Sequence, residues 1–151
     1  FVEDFTLVKG NTDSGPVPGV MAAYGEFLND APAARKALDD IRTLYEKRLA
    51  YLIPTLKAAG LRPACATEAG FFTLWHVPES AFGKELPLEG RHEAFNRSVI
   101  AETGILGVHF ASTNDAGKPE PLIRYAVCAD VLDKKFQKRL EAGLAKLKPV
   151  Y

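Results

Sequence analysis

Between residues 33 and 59, Leu38, Ile41, Tyr45, Leu49, Leu52 and Leu56 recur at helical spacing with charged residues between them. That spacing lines the six along one side of an α-helix, and a one-sided helix needs another apolar surface to cover it. Pro54 falls inside the stripe. Its ring has no N–H to donate, so it predicts a kink or an early end to the regular hydrogen bonding. Gly60 is placed to close the helix as the first residue beyond its cap.

The other segments are shorter. A dense run of turn formers, Gly10-Asn11-Thr12-Asp13-Ser14-Gly15-Pro16, reads as a loop, with Asp13 or Ser14 as a cap for the next helix. Val20, Met21, Tyr24, Phe27 and Leu28 predict that helix, the first of the chain, and it stops at Asn29-Asp30. Beyond the long helix the period shortens. Arg62 to Thr67 and Phe71 to Val77, joined by Glu68-Ala69-Gly70, predict a hairpin, and 78–90 a loop. A helix is expected over 91–102, a short strand over 105–110 and a loop over 112–121. Leu122 to Ala129 is nearly continuous in apolarity and reads as the best strand. Asp130 is placed to cap a last helix carrying Leu132, Phe136, Leu140, Leu144 and Leu147 on one side. The order predicts an α+β fold: two layers, a small and mostly antiparallel sheet, helices packed on one face.

A chain of 151 residues can bury one core without staples. Nineteen basic and nineteen acidic residues cancel, with no basic tract, which argues against a nucleic-acid partner or an anionic membrane surface. No apolar run approaches the roughly 20 residues of a membrane span. Two cysteines, Cys65 and Cys128, make no disulfide framework; reduced thiols and a cytoplasmic location are expected. The opening Phe1-Val2-Glu3-Asp4 reads as a sequence entered partway through.

Phosphate-loop, Cys-x-x-Cys, His-Glu-x-x-His and Gly-x-Ser-x-Gly motifs are absent, and His76, His92 and His109 lack metal-ligand spacing, so no metal site is expected. Arg124 stands apart, a cation inside an apolar strand on the side shared by Leu122 and Ala126. It either reaches water or a local acid at a sheet edge, or it holds a planar fork of donors for a carboxylate.

Pro121-Leu122-Ile123-Arg124-Tyr125-Ala126-Val127 leads by a short turn into the final helix. Upstream stand Leu56-Lys57-Ala58-Ala59-Gly60-Leu61, Glu68-Ala69-Gly70-Phe71-Phe72-Thr73-Leu74-Trp75 and Glu102-Thr103-Gly104-Ile105-Leu106-Gly107-Val108. With the Lys9–Gly15 loop, this succession resembles the C-terminal, small domain of class I/II aminotransferases, the pyridoxal-phosphate enzymes of the aspartate aminotransferase fold. The resemblance covers essentially the whole chain. It implies an interdomain loop and helix over 1–31 and a small domain over 32–151. It implies further that Arg124 binds the substrate's α-carboxylate, that Phe71 lines the site, and that Asn11, Asp13 and Ser14 approach the partner subunit's active site in a homodimer.

The substrates so implied are an amino acid and a 2-oxo acid, with pyridoxal 5′-phosphate as cofactor of the parent enzyme. The lysine that would bind that cofactor, its phosphate-binding segment and the acid for its pyridine nitrogen are not recognisable here, and Lys9 stands in the wrong context. The chain alone is therefore expected to be inactive, to bind no cofactor and to need a missing large domain. Its long helix and first segment should then show an exposed apolar surface. The alternatives are a stand-alone module that binds a small carboxylate and a dimerisation module.

Overall fold

In the computed structural model, residues 2–4 and 18–151 are described. The chain divides into two units, Phe1–Ile41 and Arg42–Tyr151, with the division inside the long helix. Within the first unit, helix α1 (Pro18–Asn29) has no buried residue, and Val20, Met21, Tyr24, Phe27 and Leu28 are all exposed. Asp30 separates it from helix α2 (Ala31–Ala58), its carboxylate accepting from Ala33 N at 3.2 Å. That cap starts α2 two residues ahead of the expected position. Leu38 and Ile41, at the head of the apolar stripe, are exposed.

In the second unit the stripe is buried: Leu49, Leu52 and Leu56 belong to the core. The helix runs through Pro54 to Ala58 rather than stopping early. Thr55 Oγ1 donates to Tyr51 O at 2.7 Å in the turn that Pro54 leaves one donor short. Gly60, at φ 92°, ends the helix as expected; Leu61 N returns to Leu56 O at 3.1 Å and Gly60 N to Lys57 O at 2.9 Å.

A three-stranded sheet runs β1 (Phe72–His76), β5 (Leu122–Ala126), β4 (Val108–Phe110), with both pairings antiparallel. The expected hairpin is reduced to one bridge, Pro63 opposite Trp75, flanked by Ala64 N to Leu74 O and His76 N to Arg62 O, both 2.9 Å. Proline has no N–H with which to extend a ladder. The expected loop at 78–90 holds a second, small hairpin, β2 (Ser80–Ala81) and β3 (Lys84–Glu85). Phe82 and Gly83 turn it with φ of 55° and 73°, the doubly left-handed turn that fits strand twist. Phe82 adopts it because its ring packs on the core.

Helix α3 (Arg91–Thr103) precedes β4, and helix α4 (Lys134–Leu144) follows β5. The cap of α4 is Asp133, not Asp130: its carboxylate accepts from Lys135 N at 3.0 Å and Phe136 N at 2.8 Å. Asp130 instead accepts from Leu132 N at 3.3 Å, closing a turn one step earlier.

Alternation divides the sheet into two faces. Thr73, Trp75, Ile123 and Tyr125 point to the core, which α2, α3 and α4 complete with Leu52, Leu56, Phe95, Val99, Leu140 and Leu144. The protein is thus an α+β fold with helices on one face of an antiparallel sheet. Among the described residues no helix is long and apolar enough to cross a membrane.

Candidate carboxylate-binding site

The second face of the sheet carries Phe72, Leu74 and His76 from β1, Leu122, Arg124 and Ala126 from β5, and Val108 and Phe110 from β4. None of these eight is fully buried. Arg124 lies at their centre, because β5 is the middle strand and both Leu74 and Val108 stand directly opposite it. A strand bonded on both edges holds its backbone far more firmly than a loop would.

Phe72 and Phe110 occupy diagonal positions. The Arg124 guanidinium carbon is 4.0 Å from the centre of the Phe72 ring and 5.6 Å from that of Phe110. An arginine set against an aromatic ring keeps its in-plane donors free while its orientation is fixed. Among the described residues no carboxylate pairs with Arg124, and its Nε is buried without a hydrogen-bond partner. With Nε closed off, an incoming carboxylate has the two terminal nitrogens to meet, end-on.

Phe71, the other expected binding residue, precedes β1 and is one ring removed from the cation. Its ring is 4.3 Å from that of Phe72 and 5.6 Å from that of Tyr45 on α2. Tyr45, Phe71, Phe72 and Arg124 thus form a continuous line of contacts. The expected interface residues Asn11, Asp13 and Ser14 lie outside the described residues, as does Lys9.

Two supporting residues escaped sequence reading. Arg48 on α2 donates Nη1 to Val127 O at 3.0 Å and Cys128 O at 2.9 Å, and stands 3.7 Å from Asp130. It takes the carbonyls that β5 would need to continue, which is why the strand stops at Ala126 rather than Ala129. Asn96 on α3 does the same before β4: Gly107 N donates to its Oδ1 at 3.1 Å and its Nδ2 donates to Gly107 O at 2.8 Å. Hence β4 begins at Val108, not Ile105. Neither residue carries a sequence signal, since each acts on backbone far along the chain.

The histidines do not gather. His76 Nδ1 is 3.4 Å from Glu120, and the rings of His92 and His109 are 5.0 Å apart. No group of three His, Cys, Asp or Glu among the described residues could hold a metal ion. Cys65 and Cys128 are free and exposed.

The cofactor that the resemblance implies needs an amine and an acid near its ring. None of the eight positions on this face is a lysine, so no amine stands beside Arg124 to carry pyridoxal phosphate, and no acid is there for a pyridinium. These eight positions do not make a site for that group. No family model, curated protein or solved structure matches the chain.

Proposed function

We propose that this chain is the carboxylate-gripping small domain of a pyridoxal-phosphate-dependent aminotransferase, an enzyme that moves an amino group from an amino acid to a 2-oxo acid. The observation that carries this reading is the Arg124 guanidinium: fixed mid-sheet on the face away from the helices, set between two rings and paired with no internal acid. An internal carboxylate there, or a helix over the fork, would have removed the basis for it. Arg124 binds the α-carboxylate and Phe72 and Phe71 orient its donors. Holding a substrate in a reactive orientation is worth several kcal/mol, on the order of 7 or more in favourable cases.

No step of transamination is assigned to residues of this chain. Bound pyridoxal phosphate would act as an electron sink for the amino acid, and residues beyond those described here would hold it. The same reading makes a large domain and a second subunit the partners of the exposed apolar residues on α1 and the start of α2, and places the enzyme in the cytoplasm, where exposed thiols stay reduced.

The test uses the whole product of the gene. Transamination that depends on pyridoxal phosphate is expected, with Arg124→Lys raising KM for the amino acid at least about tenfold, because a point ammonium does not reproduce a planar fork. Absence of cofactor and of activity refutes the enzyme. The second reading, a stand-alone module for small carboxylates, rests on the same unpaired Arg124. It predicts Arg124-dependent carboxylate binding by a gene product that takes up no cofactor.

A further inference from the structure

On the face that carries Arg124, one permanent charge stands among apolar groups. Leu74 and Val108 are its direct neighbours; Phe72 and Phe110 hold two of the diagonals, and Ala126 and Leu122 the strand positions on either side. Phe72, Phe110 and Val108 are 40%, 38% and 49% exposed, which is available apolar area and not core. The remaining position, His76, stands directly opposite Leu122 and diagonal to Arg124, with its Nδ1 3.4 Å from Glu120. Arg124 is the sole Lys or Arg among the eight positions of this face, and Glu120 beside His76 would repel a second anionic group.

From this arrangement we infer that the site selects monocarboxylates with an apolar body, branched aliphatic or aromatic, over dicarboxylates. The inference rests on the reading of Arg124 as a carboxylate grip and adds what the rest of the ligand must be. The carboxylate meets the terminal nitrogens end-on, since Nε is buried, and the body of the ligand lies over Val108, Phe110 and Phe72. Covering these groups removes apolar surface from water on both partners, whereas laying a second carboxylate over them strips it of water with no partner in exchange.

The experiment is a titration of the 151-residue chain at pH 7, following the Arg124 Nε–H resonance by NMR, with Arg124→Gln to assign it. The probes are 4-methylpentanoate, 3-phenylpropanoate, glutarate and the uncharged 4-methylpentanamide. Both monocarboxylates are expected to shift the resonance at least about tenfold more tightly than glutarate, with no response to the amide. Phe110→Lys, at an exposed position, places a second cation on the face and is expected to reverse the preference toward glutarate. Should glutarate bind wild type as tightly as the monocarboxylates, and through Arg124, the apolar class is wrong while the grip stands. If no carboxylate moves the resonance up to about 50 mM, or the amide binds as well as the acid, the grip itself fails and the inference falls with it.

Discussion

Asn96 and Gly107 are joined by two hydrogen bonds: the buried Asn96 Nδ2 donates to Gly107 O at 2.8 Å, and Gly107 N donates to Asn96 Oδ1 at 3.1 Å. The pair ties α3 to the entry of β4, and β4 supplies Val108 and Phe110 to the face around Arg124. Asn96→Ala orphans a buried N–H and a buried C=O at once. At about 1–3 kcal/mol for each buried group left unsatisfied, a loss of roughly 3 kcal/mol is expected. Denaturant unfolding measures it. A loss under about 0.5 kcal/mol would mean that water replaces the amide without difficulty.

Gly143 in α4 is where that helix comes closest to α3. A Cβ there would meet the backbone oxygen of Glu102 at 2.5 Å and Thr103 Cγ2 at 2.7 Å. Alanine is favoured over glycine inside a helix by about 1 kcal/mol. A backbone carbonyl cannot rotate aside, so overpacking of about 1–3 kcal/mol outweighs that gain and Gly143→Ala destabilises. Gly25 in α1 has nothing within 4 Å of such a Cβ, and Gly25→Ala is expected to increase helicity. Thermal unfolding and circular dichroism of the two variants should therefore move in opposite directions.

Arg124 shows how far local pattern reaches. Its place on a strand, and its parity with Leu122 and Ala126, follow from alternation within a few residues. That Phe72 and Phe110 flank it depends on the register of β5 with two strands from elsewhere in the chain, which no local period encodes. Two of the strand boundaries missed share one cause. β5 and β4 are cut short by Arg48 and Asn96, side chains that reach backbone 79 and 11 residues away. Two aspartates in one turn compete for the start of α4, and composition does not rank them; Asp133 wins because its oxygen reaches two amides at once. Pro54 costs α2 one hydrogen bond, but Leu52 and Leu56 on either side are buried, and that burial carries the helix through.

Burial raises the phenols of Tyr51, Tyr125 and Tyr151, so all three weaken the fold at alkaline pH. Burial, then donation to Glu141 at 3.0 Å, pushes the Tyr51 phenol up to about 12 from an ordinary 10. Burial pushes that of Tyr125 up as well, and its hydroxyl has no hydrogen-bond partner. In each case the unfolded chain releases its proton first. The stabilisation is therefore complete below about pH 10 and is lost as pH rises through the folded values. Unfolding free energy measured from neutral pH upward should fall from about pH 10, and Tyr125→Phe should flatten that fall. At neutral pH the same variant removes a buried unpaired hydroxyl and is expected to gain about 1 kcal/mol.

Arg124 itself should cost the fold stability. Its buried Nε without a partner carries a penalty of about 1–3 kcal/mol. The contact with Phe72 at 4.0 Å returns about 0.5–1 kcal/mol at a partly exposed site. Leucine at this position keeps the apolar contacts and removes the orphaned donor. Arg124→Leu is accordingly expected to stabilise the chain by about 1 kcal/mol with an unchanged denaturant slope, while carboxylate binding disappears. A net cost to the fold together with lost carboxylate binding would be the signature of a group held for a ligand rather than for the sheet. Should Arg124→Leu instead lose more than about 1 kcal/mol, the guanidinium serves the sheet rather than a substrate.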